Sequence, residues 1–197
     1  MRRRVNLIVI LFLLITLCGC GLHVSGRDWV ASTGIESLAI PVIDNNGDRA
    51  HVESFITSAV VSEFSSFIKI ADNEDASDAV LLGAINKYEL IPVSYDLRDI
   101  VLEYQLKVTT SFKLKRTSDG EFIWRSEAIY GTEDFLVDTL SIAITKERER
   151  LALEALALEV ALTLREQIVG DLIEKAILKK DLKENKETEK DTDKFNE

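Results

Sequence analysis

The chain has 197 residues, 46% of them hydrophobic and 29% charged, and a formal net charge of −10. That length holds one domain with small additions, and the apolar share is enough for a core. The acidic balance argues against general nucleic-acid binding, which wants a basic face.

The N-terminus opens on Arg2-Arg3-Arg4, followed by Val5–Leu17, a run of 13 mostly apolar residues. At ~1.5 Å per helical residue the run reaches only about 20 Å, short of a ~30 Å hydrocarbon core. It reads as a secretory signal rather than a span. Leu17-Cys18-Gly19-Cys20 then resembles the bacterial lipobox, which makes Cys20 the lipidated residue and ends the signal at Gly19. A plain secreted protein cut elsewhere is the alternative. With Cys20 at the start, no other cysteine remains, so no internal disulfide holds the fold. Several acyl chains on Cys20 would anchor firmly where one is marginal. Gly21, rather than Asp, after the cysteine favours the outer membrane, facing the periplasm.

Residues 20–34 read as a tether, and the domain is expected over 35–178. Ser37–Ile43 alternates as a strand, with Pro41 placing it at an edge or bulge. Asp44-Asn45-Asn46-Gly47 is a turn, and Asp48 is the expected cap of the next helix. Val52, Phe55, Ile56, Ala59 and Val60 form that helix's apolar stripe. Phe67–Ala71 reads as a short strand, Asp72–Asp78 as an acidic loop, and Ala79–Leu90 as a central strand with a loop from Pro92 to Asp99.

The clearest pattern lies between Leu102 and Leu114. Leu102, Tyr104, Leu106, Val108, Phe112 and Leu114 share one parity, and polar residues hold the other, which predicts a long strand with one wet face. Thr117-Ser118-Asp119-Gly120 is a tight turn. A second strand follows, with Phe122, Trp124, Ala128 and Tyr130 on one parity. This hairpin carries Lys107, Lys113, Lys115, Arg116 and Arg125 against four acidic residues, so it is locally basic in an acidic chain. Strand solubility and edge protection by lysine explain that composition as readily as an anionic partner does.

From about Leu140 the period is helical. Leu151, Ala155, Leu158, Leu162, Val169, Leu172 and Ala176 form one stripe; Leu153, Leu156, Val160 and Leu164 form a second. A helix apolar on nearly every side is deeply buried or docks a partner on its second face. The second stripe is assigned to docking, with generous packing inside the domain as the alternative. Gly170 is expected to kink or end the helix, and residues 179–197, rich in lysine and acids, to be a disordered tail. The fold expected is α+β, a two-layer sandwich with two helices on one face of a mixed sheet of about four to five strands. His23 and His51 are the only histidines, and no spacing suggests a metal or cofactor site, a phosphate loop or a nucleophile, so no catalysis is expected.

Six segments, Cys20-Gly21-Leu22-His23, Ile35–Val42, Ala76–Leu82, Lys87–Tyr95, Glu103–Leu106 and Gly120–Arg125, stand in an order and spacing of their own. Together they resemble the LptE family of lipopolysaccharide-assembly lipoproteins. The resemblance implies a two-helix, mixed-sheet sandwich. It also implies a role without covalent chemistry: plugging and assembling the LptD β-barrel, and binding lipopolysaccharide for delivery to the outer leaflet. On that reading Lys107, Lys113, Lys115, Arg116 and Arg125 meet lipopolysaccharide, and Leu153, Leu156, Val160 and Leu164 meet the barrel. The alternative is a lipoprotein serving another envelope machine, such as a secretin, a pilus or a cell-wall synthase. A lipid-anchored periplasmic enzyme would need a cleft with convergent polar groups, for which the chain has no motif.

Overall fold

The structure, a computed structural model, describes the backbone of residues 33–194 and the side chains as far as residue 178. The signal, Cys20 and most of the tether lie outside the described residues. The elements in order are β1 (Ser37–Ala39), β2 (Asp44–Asn45), α1 (Val52–Ser65), β3 (Lys69–Ile70), a short 3-10 turn (Glu74–Ala76), β4 (Ala79–Tyr95), β5 (Val101–Arg116), β6 (Phe122–Arg125), β7 (Ile129–Leu136) and α2 (Ile142–Lys194).

The class is α+β, with two helices, among the described residues, on a curled mixed sheet. The sheet runs β3-β1-β4-β5-β6, with β2 also on β4 and β7 also on β5. Among the described residues the sheet has seven strands where four or five were expected, because two of the expected strands are each broken. Pro41 interrupts the first, leaving β1 and β2 on the same side of β4. Ser126 interrupts the second hairpin strand. Its amide donates to the Phe112 carbonyl at 2.9 Å and its hydroxyl accepts the Phe112 amide at 2.8 Å. The break reverses parity, so Ile129 turns inward and Tyr130, expected on the buried side with Trp124, is 58% exposed.

β4 and β5 pair antiparallel along nearly their whole lengths, so the loop expected from Pro92 is strand as far as Tyr95. The buried parity of β5 is the one read from the sequence, with Leu106, Val108, Phe112 and Leu114 inward. On α1, Val52, Ile56, Val60 and Phe64 are buried at four-residue spacing. Its start is not capped by Asp48. The N-cap is His51, at a φ of 72°, and Glu53 reaches back to accept from the His51 amide and the Asn45 amide group. The Asp44–Gly47 turn, which Asn45 closes by accepting from the Gly47 amide, leaves Asp48 too far upstream to cap.

Packing is closest at two glycines. A Cβ on Gly83 would sit 2.7 Å from the Phe112 ring, and one on Gly131 2.8 Å from Val160 and 3.0 Å from Leu156. Gly131 therefore lets β7 lie directly under α2. Gly170 has open space around it, and α2 passes through it instead of ending there, running on to Lys194. The lysine- and glutamate-rich segment that composition marks as a disordered tail is also a strong helix former, and the helix simply propagates into it.

Asp78 fastens β1 to the start of β4. Its Oδ2 accepts the Ser37 hydroxyl and amide, each at 2.8 Å, and the Glu36 amide at 3.0 Å. The Ser37 hydroxyl first, then these amides, hold its carboxyl below the usual range. A depressed carboxyl stabilises the fold above the unfolded value of about 3.9, and that support is lost as pH falls through the folded value. Asp78→Asn should therefore lower stability by about 1 kcal/mol at neutral pH and flatten the loss seen below about pH 4 in urea titrations run across pH. Gly131→Ala should cost about 1–3 kcal/mol in the same assay, whereas Gly170→Ala should be neutral or gain up to ~1 kcal/mol.

Candidate functional site

Two surfaces stand out, one on each layer. The first is the sheet face that the helices leave uncovered. Register places Lys113 of β5 beside Arg125 of β6, and Lys115 opposite Phe122. The Phe122 ring joins them: Arg125 Cζ lies 4.3 Å and Lys113 Nζ 5.9 Å from its centroid. Such contacts contribute about 0.5–1 kcal/mol at exposed sites and hold the two cations near one another. Among the described residues, Lys113, Lys115 and Arg125 have no ion-pair partner, so their charge is available to a ligand.

The other two predicted cations are not part of this group. Lys107 lies ~20 Å along the strand from Lys113, opposite Glu89 and Thr132. Arg116 is spent on its own turn, with Nη1 2.8 Å from Asp119 and 3.6 Å from Glu121. Asp119 in turn is held below the usual carboxylate range by the Glu121 amide and then by Arg116. The sequence placed five cations on one hairpin; cross-strand register selects three. Phe122 was missed as their partner, although the turn position and the antiparallel count locate it.

The second surface is on α2, and the four residues assigned to docking are not on it. Leu153, Leu156, Val160 and Leu164 are between 0% and 6% exposed and belong to the core under the helix. They cannot meet another protein without unfolding this one. Only the first part of the other stripe faces outward: Leu151 and Leu158 are each 50% exposed and Leu162 37%, while Val169 and Leu172 further along it are buried in the core. Two signals favoured this arrangement. Ala152, Ala157 and Ala161 flank the buried leucines and permit close approach. Glu147 and Glu154 on one side, and Glu159 and Glu166 on the other, border the outer stripe at 100° per residue, as acids border a solvent face.

Polar ties secure the helix to the rest. Trp124 Nε1 donates to Asp171 at 2.8 Å, Arg165 pairs with Glu63 of α1 at 2.6 Å, and Glu149 pairs with Arg49. The Tyr88 hydroxyl is shut away from solvent beside Glu149; burial first, and then that negative charge, pushes its pKa up to about 12. Beside it, an open hollow of about 520 Å³ lies between the start of α1 and α2, with Arg49, His51, Lys146 and Arg150 among its lining. Arg150 is already held by Glu147 and Glu154. Among the described residues no group of three or more His, Cys, Asp or Glu could hold a metal ion. No helix among them is long and apolar enough to cross a membrane.

The family model described as LptE, lipopolysaccharide-assembly, matches residues 35–172, well over half of the chain. The chain belongs to the LptE family. The match begins at Ile35 and ends at Leu172, which are also the first and last residues of the buried core. Among solved structures, a Caulobacter crescentus CB15 lipoprotein is 11% identical, with 79% of this chain and 98% of that one covered and a TM-score of 0.49. Lipoprotein B of Nitrosomonas europaea is 15% identical over 68% and 83% of the two chains, with a TM-score of 0.48. Rare lipoprotein B of Shewanella oneidensis is 14% identical over 76% and 98%, with a TM-score of 0.41. No curated protein matches the chain.

The two stripes on α2 separate cleanly by mutation. Leu156→Ala should cost about 2–5 kcal/mol in chemical unfolding, while Leu158→Ala should stay within about 0.5 kcal/mol of the parent. Equal costs would put both faces of this LptE-family helix in the core.

Proposed function

We propose that this chain is an outer-membrane lipoprotein, acylated on Cys20 and facing the periplasm, that plugs the LptD barrel and supports its assembly. In the same reading it binds lipopolysaccharide for delivery to the outer leaflet. The role is one of binding and assembly, without covalent chemistry. The observation that carries the proposal is the family match over the whole core, residues 35–172.

Two structural features support it. The Leu151, Leu158 and Leu162 stripe is an apolar face on a helix whose opposite face already fills the core, and a barrel lumen offers a wall to cover it. The Lys113, Lys115 and Arg125 group presents three unpaired cations to the phosphates of lipopolysaccharide through charge-assisted hydrogen bonds. Each exposed pair contributes only about 0–1 kcal/mol, so the three act as a set.

Affinity purification of the full-length lipidated protein from detergent-solubilised outer membrane tests the partnership. A near-stoichiometric LptD-type barrel is expected; a secretin or cell-wall synthase in its place would move the role to another envelope machine. Purified protein tests the ligand. Lys113→Glu combined with Arg125→Glu should weaken lipopolysaccharide binding about tenfold, while Arg116→Glu, whose cation is consumed by its own turn, should leave it nearly unchanged. The reverse ranking would move the site off the open face.

A further inference from the structure

α1 and α2 lie side by side and run in the same direction. Arg49 pairs with Glu149 where they begin to meet, and Glu63 pairs with Arg165 further along both. Between these ties are two hollows that share Phe55 in their lining. One is the 520 Å³ hollow at the start of α1; the other, of about 440 Å³, reaches Ala59 and Ala157. Both have the volume of a small-ligand site. Together they make one groove from His51 to Ala59, about 12 Å long at ~1.5 Å per helical residue. Leu153 and Ala157 are buried beneath it, and Phe55 and Ala59 are half-buried along its side.

Positive charge is confined to one end. Arg49, His51, Lys146 and Arg150 surround the first hollow, and the acid among its lining residues, Glu149, is already paired with Arg49. Lys146 is exposed and has no ion-pair partner among the described residues. The His51 side chain does not cap α1, so it too is left to the hollow. The second hollow differs. Its polar residues are Ser54, Ser58 and Glu154, and Arg150 takes up the Glu154 charge. The groove therefore has a cationic mouth and a neutral, largely apolar body.

We infer that this groove binds an anionic amphiphile with one alkyl chain. Its phosphate or carboxylate sits at Lys146 and His51, and its chain lies over Phe55, Ala59 and Ala157. The charge pattern selects this class. A bare anion would leave the apolar body of the groove in water, and an uncharged chain would leave Lys146 unanswered; a molecule charged at one end only satisfies both. An exposed ion pair contributes little alone, so head and chain act together. The site belongs to the helix layer, apart from the open sheet face that carries Lys113, Lys115 and Arg125, and it does not depend on the function proposed for that face.

Photolabelling of the full-length lipidated protein in phosphatidylcholine vesicles tests this. The probe is decyl phosphate with a diazirine at the chain end, compared with decyl maltoside carrying the same group. The anionic probe should label the peptides holding Ser54–Ala59 and Ala157 at least about fivefold more than the neutral one. Lys146→Glu, at an exposed and unpaired position, should bring that labelling down to the neutral level. Ala59→Leu, which fills the groove, should suppress labelling by both probes, with the unfolding midpoint of each variant showing that it is folded. Unlabelled decyl phosphate or decanoate should compete, the stronger of the two identifying the head group, while inorganic phosphate at the same concentration should not. Equal labelling by the two probes overturns the inference and makes the groove a plain apolar face, as a peptide would use. Full competition by inorganic phosphate overturns the part played by the chain. Labelling that avoids these peptides, or that Lys146→Glu leaves unchanged, overturns the site.

Discussion

The rest of the molecule depends on the pairing of β4 with β5. These two strands contribute the longest ladder in the fold, continued across the register shifts at Asn86 and after Pro92, and it is built with one apolar and one polar face. Burying Leu81, Ile85, Leu106, Phe112 and Leu114 requires cover on one side only, and α1 and α2 provide it. Every other strand but β3, which pairs with β1, is attached directly to this ribbon. β1 and β2 sit on the outer side of β4; β6 and β7 sit on the outer side of β5, at opposite ends of it. The functional surfaces follow from this asymmetry. A two-layer domain leaves one sheet face and the outer sides of its helices in solvent, and those are where the unpaired cations and the exposed leucines are found.

Much of this was legible in the sequence, for reasons that can be named. Period-two alternation over Leu102–Leu114 marks a half-buried strand because side chains of a pleated strand alternate strictly. The turn at Thr117–Gly120 was readable through Gly120, which adopts a φ of 73°. What could not be read was where alternation resets. Ser126 swaps the faces of the following residues through two hydrogen bonds to Phe112, and neither bond leaves a mark in composition. The cap of α1 was misplaced for a similar reason. Asp48 is a good capping residue, but the turn before it sets where the chain enters the helix, and Glu53 then works backwards from inside.

The functional surfaces were legible in kind and wrong in detail. A helix with 11 apolar residues in Leu151–Leu164 announces a second contact face, but leucine occupies both stripes, so counting apolar residues cannot tell inside from outside. Only the bordering acids and the alanines at 152, 157 and 161 break the tie. Likewise the hairpin's five cations are evident, but whether a cation is free depends on turn geometry. Arg116 and Lys115 are neighbours in sequence and opposite in situation, one bound by Asp119 and Glu121, the other without an ion-pair partner.

The length of α2 has a consequence for how this protein comes apart. Its last core residue is Leu172, and Ile177 and Leu178 beyond it are each more than half exposed. The bond from Trp124 to Asp171 is thus one of the last fastenings before the helix leaves the domain. Helix beyond that point draws on hydrogen bonds along its own axis, and such a segment frays by degrees from its free end instead of melting all at once. Heating should therefore be reported differently by two optical probes. Far-ultraviolet dichroism would begin to decline early, as the outer turns unwind, while the environment of Trp124 would hold until the sandwich itself gives way. The distance between those two curves measures how much of the helix belongs to the fold and how much only extends from it.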